Sequence, residues 1–214
     1  MPTLAELERD VVDCRRCPLA EGRTQVVFGV GHPQAPLMFV GEAPGAEEDR
    51  RGQPFVGRSG QLLDRLMAEE LGMSRSQAYI ANVVMCRPPG NRDPRPVEIE
   101  ACRPNLEAKL DLIRPAVIMT LGNFAARTLL GATEGITRLR GRSYPFRGGV
   151  LVPTYHPSLA AAQRRRRVLA EMRADFIRAK EALVAAGALG PAGVVEPGVG
   201  EPAGAGPAPG PGPR

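Results

Sequence analysis

The chain has 214 residues, 28 Lys plus Arg against 23 Asp plus Glu, a formal net charge of +5 and 43% hydrophobic residues. That apolar content supports a sizeable core and excludes wholesale disorder. No apolar run approaches the ~18–20 residues of a membrane span, and Met1–Asp10 is acidic and amphipathic rather than signal-like, so a soluble cytoplasmic protein is expected.

In chain order, Leu4–Val12 reads as a short helix running into Cys14. Leu37–Val40 is a buried strand between Pro36 and Gly41. Ser59–Leu71 carries Leu62, Leu63, Leu66, Met67 and Leu71 on one helical face, with Gly72 as its stop. Tyr79–Val84 is a second strand, and Pro96–Ile113 has helical spacing in Ile99, Cys102, Leu106, Leu110 and Ile113. Ala116–Leu121 is a third strand, followed at once by a helix, Asn123–Leu130. Gly135–Gly149 reads as a polar, basic hairpin or loop. Val150–Thr154 is a fourth strand that ends at Tyr155-His156-Pro157, and Leu169, Met172, Phe176 and Leu183 mark a last helix. This alternation predicts an α/β fold, a three-layer α/β/α sandwich around a mainly parallel four-stranded sheet. Residues 1–186 form the working domain. Residues 187–214 hold 9 Gly and 7 Pro, and read as a disordered Gly/Pro/Ala-rich tail.

Chemistry in such sheets gathers at the carboxyl ends of the strands. Three segments lie there: Gly41–Gly45, Asn82–Cys86 and His156–Ser158. The Gly41-Glu42-Ala43-Pro44-Gly45 loop is tight and offers backbone N–H groups to a ligand. Phe55, in a Gly-rich loop, suits stacking on a flat ligand as well as anchoring the loop. Asn82 places an amide in an apolar strand, where it must find partners or read a base edge. His156 has an acid–base or electrostatic position. Arg164, Arg165, Arg166 and Arg167 form a run that suits a solvated face as well as a grip on phosphates. Only Lys109 and Lys180 are lysines, so 26 of the 28 basic residues are Arg. Cys14-x2-Cys17 is a tight clip, whereas Cys86 and Cys102 are spread. That spacing leaves a four-iron cluster, a zinc site and ordinary thiols all open.

Together these segments resemble the family 4 uracil-DNA glycosylases, the iron–sulfur branch of that superfamily. The resemblance rests on the C-x2-C clip, Gly41–Gly45, Gly52-x-Pro-Phe-Val-Gly57, Tyr79–Val84 running into Cys86-Arg87-Pro88-Pro89, Cys102 and His156-Pro157-Ser158, in that order from Cys14 to Phe176. It implies a structural [4Fe-4S] cluster on Cys14, Cys17, Cys86 and Cys102, and hydrolysis of the N-glycosidic bond of deoxyuridine in single- or double-stranded DNA. Phe55 would stack on a flipped uracil, Asn82 would read its O4 and N3–H edge, and His156 would donate to O2. Gly41, Ala43 and Gly45 would line the pocket, Ser158 and Leu159 would press on the duplex, and Arg164–Arg167 with Arg138, Arg140 and Arg142 would contact phosphates. Ala43 stands where another branch has a water-orienting Asp. The water therefore falls to Glu42 or Glu48, or uracil leaves with little base help. A branch that crosslinks to the abasic product has a loop histidine, and Arg87–Val97 contains none. A non-enzymatic iron–sulfur DNA-binding module is the remaining alternative. A monomer is expected.

Overall fold

The computed structural model describes residues 3–161 and 166–190. The first helix, α1 (Leu4–Val11), opens on a capping box in which Thr3 and Glu6 satisfy each other's backbone N–H. After α2 (Leu19–Gly22) come the short strand β1 (Val30–Gly31) and the fully buried β2 (Leu37–Gly41). Then follow α3 (Ala46–Arg51), α4 (Arg58–Leu66), a π-helical turn at Met67–Leu71 and β3 (Tyr79–Asn82). The second half holds α5 (Pro96–Ile113), β4 (Val117–Leu121), α6 (Asn123–Leu130), α7 (Ile136–Leu139), β5 (Tyr144–Phe146), β6 (Gly149–Thr154), α8 (Pro157–Ala161) and α9 (Arg166–Ala185). No helix among the described residues is long and apolar enough to cross a membrane.

The sheet has six strands in the order β1-β3-β2-β4-β6-β5, not four. The four expected strands are its parallel centre, and β1 and β5 add antiparallel edges against β3 and β6. Edges of two and three residues are too short to carry a periodicity signal. The chain leaves β2 toward β3 and later leaves β4 toward β6, in opposite directions. A crevice opens at that reversal, beyond the carboxyl ends of the strands.

Alternation along the strands sorts the core into two layers. Leu37, Phe39, Ile80, Met119 and Val152 face α4, the π-helical turn and α9. Met38, Val40, Ala81, Ile118 and Leu151 face α1, α5 and α6. All four cysteines lie on or against this second layer. The sandwich is therefore α/β/α, with the cysteines on one side of the sheet.

Three other expectations shift. Strand Tyr79–Val84 ends at Asn82 as a ladder, because the Val83 and Val84 N–H groups turn to the carbonyls of Gly41 and Glu42 at 2.9 and 3.1 Å. The body runs past residue 186: Leu189 is 2% exposed, in the layer with Leu183. The remainder of the proposed tail, 191–214, lies outside the described residues. Arg140 was expected to meet phosphate, but it turns inward. Its guanidinium makes two 2.9 Å bonds to Asp175, a fully buried carboxylate on α9. Asp175 also accepts from Thr154 Oγ1 at 2.8 Å and from the Gly141 N–H at 3.2 Å. Burial pushes the Asp175 carboxyl up, and the Arg140 guanidinium is the main opposing influence. This ion pair ties the end of β6 to α9 and to the basic loop. Asp175→Ala strands the Arg140 charge and should cost about 3–5 kcal/mol of stability; Asp175→Asn, which keeps the Thr154 contact, should cost less. Urea denaturation midpoints check both values.

Candidate active site

A cleft of about 630 Å³ opens at the carboxyl ends of β2, β3 and β6. Its lining includes Glu42–Glu48 from the loop after β2, Phe55, Asn82 from the end of β3, and His156 and Ser158 after β6. Glu42, Ala43, Gly45, Glu48, Phe55, Asn82, His156 and Ser158 thus meet around one space, although they are scattered over more than a hundred positions. Gly41 lies directly beneath. A Cβ there would fall 2.6 Å from the Phe55 ring and would collide with Asn82 Oδ1. Glycine at this position lets the ring and the amide approach the strand end together.

Phe55 is buried, 6% exposed, and its backbone is left-handed at φ 53°. The ring therefore does both jobs open to it, anchoring the loop and forming a wall of the cleft. Three contacts hold this costly conformation. One Glu48 oxygen accepts the N–H groups of Val56 and Gly57, both at 3.0 Å. Arg75 donates to the Phe55 carbonyl at 3.0 Å and to the Pro54 carbonyl. Gly60, in the first turn of α4, leaves room for the Phe55 carbonyl where any Cβ would collide. The sequence reading missed Arg75, and no local pattern marks it.

Asn82 is 2% exposed, and its Oδ1 has no hydrogen-bond partner among the described residues. A buried, unpaired carbonyl oxygen costs about 1–3 kcal/mol. One that also lines a cleft is an acceptor held ready for a ligand donor.

The His156 ring lies 5.8 Å from the Phe55 ring, centroid to centroid, at 34°. Its Nδ1 accepts the Ser158 backbone N–H at 3.2 Å and contacts the Ser158 hydroxyl at 2.8 Å. An Nδ1 that accepts an amide carries no proton, so the neutral ring's proton sits on Nε2. Burial lowers the His156 pKa, against the smaller opposing influence of Glu48, and so favours this neutral form. Ser158 was expected on the duplex; it is exposed, and it also orients the imidazole. Leu159 sits beside it, half-buried on α8.

Glu42 is half-buried, and its pKa is raised to about 7 by burial first and by Asp93 second. It is thus poised to exchange a proton near neutrality. Glu48 is committed to the Phe55 turn through one oxygen. Of the two carboxylates, Glu42 is the more available. The rim adds Arg58, Asn91 and Arg92, none of them singled out by the sequence. Arg92 is held by the fully buried Glu98 at 2.6 and 2.9 Å. Arg138 is exposed on α7, and Arg142 is exposed on the loop before β5. Arg166 and Arg167 are exposed at the start of α9, with Arg167 3.0 Å from Glu171, while Arg164 and Arg165 lie outside the described residues.

On the opposite face of the sheet the four cysteines border one apolar layer. Among the described residues no group of three or more candidate ligands converges as a single ion requires. A cube, by contrast, binds each thiolate at its own iron and tolerates wider spacing of the sulfurs than a single ion does. The donors around the sulfurs fit an anionic group. Arg23 Nη1 bridges the Cys14 carbonyl at 2.6 Å and Cys86 Sγ at 3.4 Å. Asn105 Nδ2 lies 4.0 Å from Cys102 Sγ, with its Oδ1 held by Arg16 at 2.6 Å. Burial pushes the Cys86 thiol up to about 11, so its ionised form needs a strong electrophile or cations to persist.

Comparison with known proteins agrees with this geometry. Residues 28–183 match the model of the uracil DNA glycosylase superfamily. A type-4 uracil-DNA glycosylase of Sulfurisphaera tokodaii is 44% identical over 168 residues, covering 75% of this chain and 76% of that protein. One from Archaeoglobus fulgidus is 41% identical over 184 residues, covering 82% and 91%. One from Thermotoga maritima is 43% identical over 172 residues, covering 79% and 89%. The chain therefore belongs to the uracil-DNA glycosylase superfamily.

Proposed function

We propose that the protein is a uracil-DNA glycosylase that hydrolyses the N-glycosidic bond of deoxyuridine in DNA and so starts base-excision repair. The observation that carries this reading is the unpartnered Asn82 carbonyl oxygen buried in the wall of the cleft. Uracil offers a donor at N3–H and an acceptor at O4, matching the Oδ1 and Nδ2 of one amide. Cytosine offers the reverse pair and would leave the amide mismatched. The base must leave the stack to reach this depth, a cost of a few kcal/mol that is least at a mispair.

With uracil against the Phe55 ring, the C1′–N1 bond breaks and its electron pair departs on the base. The neutral His156 then donates from Nε2 to O2, where the negative charge gathers. A water adds to C1′ and gives its proton to Glu42. Gly41, Ala43 and Gly45 form the floor, and Glu48 holds the Phe55 turn. Ser158 and Leu159 on α8 press on the vacated step. Arg166 and Arg167, with Arg164 and Arg165 before them and Arg138 and Arg142 alongside, grip the strand. Cys14, Cys17, Cys86 and Cys102 would hold a [4Fe-4S] cluster. When bound, that group would tie the N-terminal segment to β3 and α5 and take no part in the reaction. The protein works on DNA as a monomer.

The decisive assay is incubation with a uracil-containing oligonucleotide followed by alkaline cleavage. Absence of strand breaks on single-stranded, U·A and U·G substrates overturns the reading. His156→Ala should lower the single-turnover rate about 10²–10³-fold with little change in DNA binding. Asn82→Ala should cost roughly 10–100-fold on uracil, because the base edge loses both partners. Glu42 accepts a proton only when ionised, so the rate should rise with pH through about 7. That rising limb should vanish in Glu42→Gln; a limb that survives in the variant excludes Glu42 as the base.

A further inference from the structure

Lys109 is one of two lysines in the chain, and it is fully buried. Its Nζ sits 4.1 Å above the Phe28 ring and 3.2 Å from Met85 Sδ. Among the described residues no carboxylate forms an ion pair with it. An ammonium so placed is costly, and a paired acid or a bound anion is the usual compensation. Its surroundings point to the sulfurs. On α5, Cys102 and Lys109 lie seven residues apart on one buried face, with Asn105 between them. The Met85 side chain meets the ammonium. Cys86 is the next residue, and Arg23 approaches its sulfur from the other side. Burial draws the Lys109 pKa down to about 8, against the opposing influence of the Cys102 sulfur and then of the Glu8 carboxylate.

We infer that Lys109, together with Arg23, is the charge complement of the four-cysteine site: Arg23 on the Cys86 sulfur, and Lys109 against Met85 and two turns along α5 from Cys102, offsetting the negative charge of a thiolate-bound iron–sulfur cluster. This inference rests on the cluster reading above. The buried cation explains how an anionic group can sit against an apolar layer, and the cluster explains why a lysine with no carboxylate in ion-pair contact among the described residues is tolerated in the core. A fixed positive charge also favours the more reduced form of a nearby metal centre, so Lys109 would set the cluster's potential.

The test uses the full chain purified anaerobically, with two substitutions that separate charge from shape. Lys109→Met keeps length and packing but removes the charge; Lys109→Arg keeps the charge but strains the packing. Iron and sulfide per chain, the rate of loss of visible absorbance in air, and the reduction midpoint are measured on each. Lys109→Met should carry less iron, lose absorbance several-fold faster and show a more negative midpoint, with Lys109→Arg near wild type in all three. Wild-type values for Lys109→Met alongside losses in Lys109→Arg make Lys109 a packing residue and overturn the inference. If Lys109→Met fails to fold, Lys109→Arg decides: wild-type loading supports the inference, and loss of loading overturns it. Wild-type protein without iron and sulfide removes the cluster reading itself, and this inference with it.

Discussion

The left-handed backbone at Phe55 is the constraint on which the cleft depends. Phenylalanine gains nothing from that conformation by itself, and the cost is of order 1–3 kcal/mol. It persists because a carboxylate on α3, a guanidinium after the π-helical turn and a side-chain-free position on α4 all act on the same few backbone atoms. The result is a rigid aromatic wall directly over the end of β2. Asn82 reaches the same point from β3, and Gly41 is the vacancy that admits both. A base entering the cleft thus meets groups that have already lost their freedom, which is how binding energy is turned toward chemistry rather than ordering.

The two faces of the sheet divide the labour. One layer, beneath α4 and α9, is apolar and supports the Phe55 turn and the end of β6. The other carries the cysteines and, against Met85, the buried Lys109. They communicate through β3, which supplies Asn82 to the cleft and, four residues on, Cys86 to the opposite face. A group bound at the cysteines would therefore fix the register of the strand that carries Asn82. Such a group would act structurally, away from the cleft.

Much of this was legible in the sequence. The helix Pro96–Ile113 was read with its observed ends, because proline at the first position and a long apolar period both speak for it. The cleft residues were legible because glycines, a lone buried amide and a histidine at strand ends are unusual in an otherwise apolar pattern. What escaped was whatever depends on distant pairing. Two edge strands were too short to announce themselves. Arg140 looked like a phosphate ligand because charge counting does not show its partner. Asp175, beside Phe176 on the apolar stripe of α9, was the only hint that a cation would be drawn inward. Arg75 clamps two carbonyls, and backbone acceptors leave no trace in a sequence.

The Ser158 amide has a consequence for how the protein treats a wrong base. It belongs to the short helix α8, proposed above to press on the duplex, and it also decides which nitrogen of His156 carries the proton. Seating the turn and arming the imidazole are then one mechanical event. A duplex that holds the turn away from its resting geometry also withdraws the amide, leaving the ring free to rotate or to take up the wrong tautomer. Proofreading in such a device needs no separate checkpoint, because a poorly seated site is chemically silent.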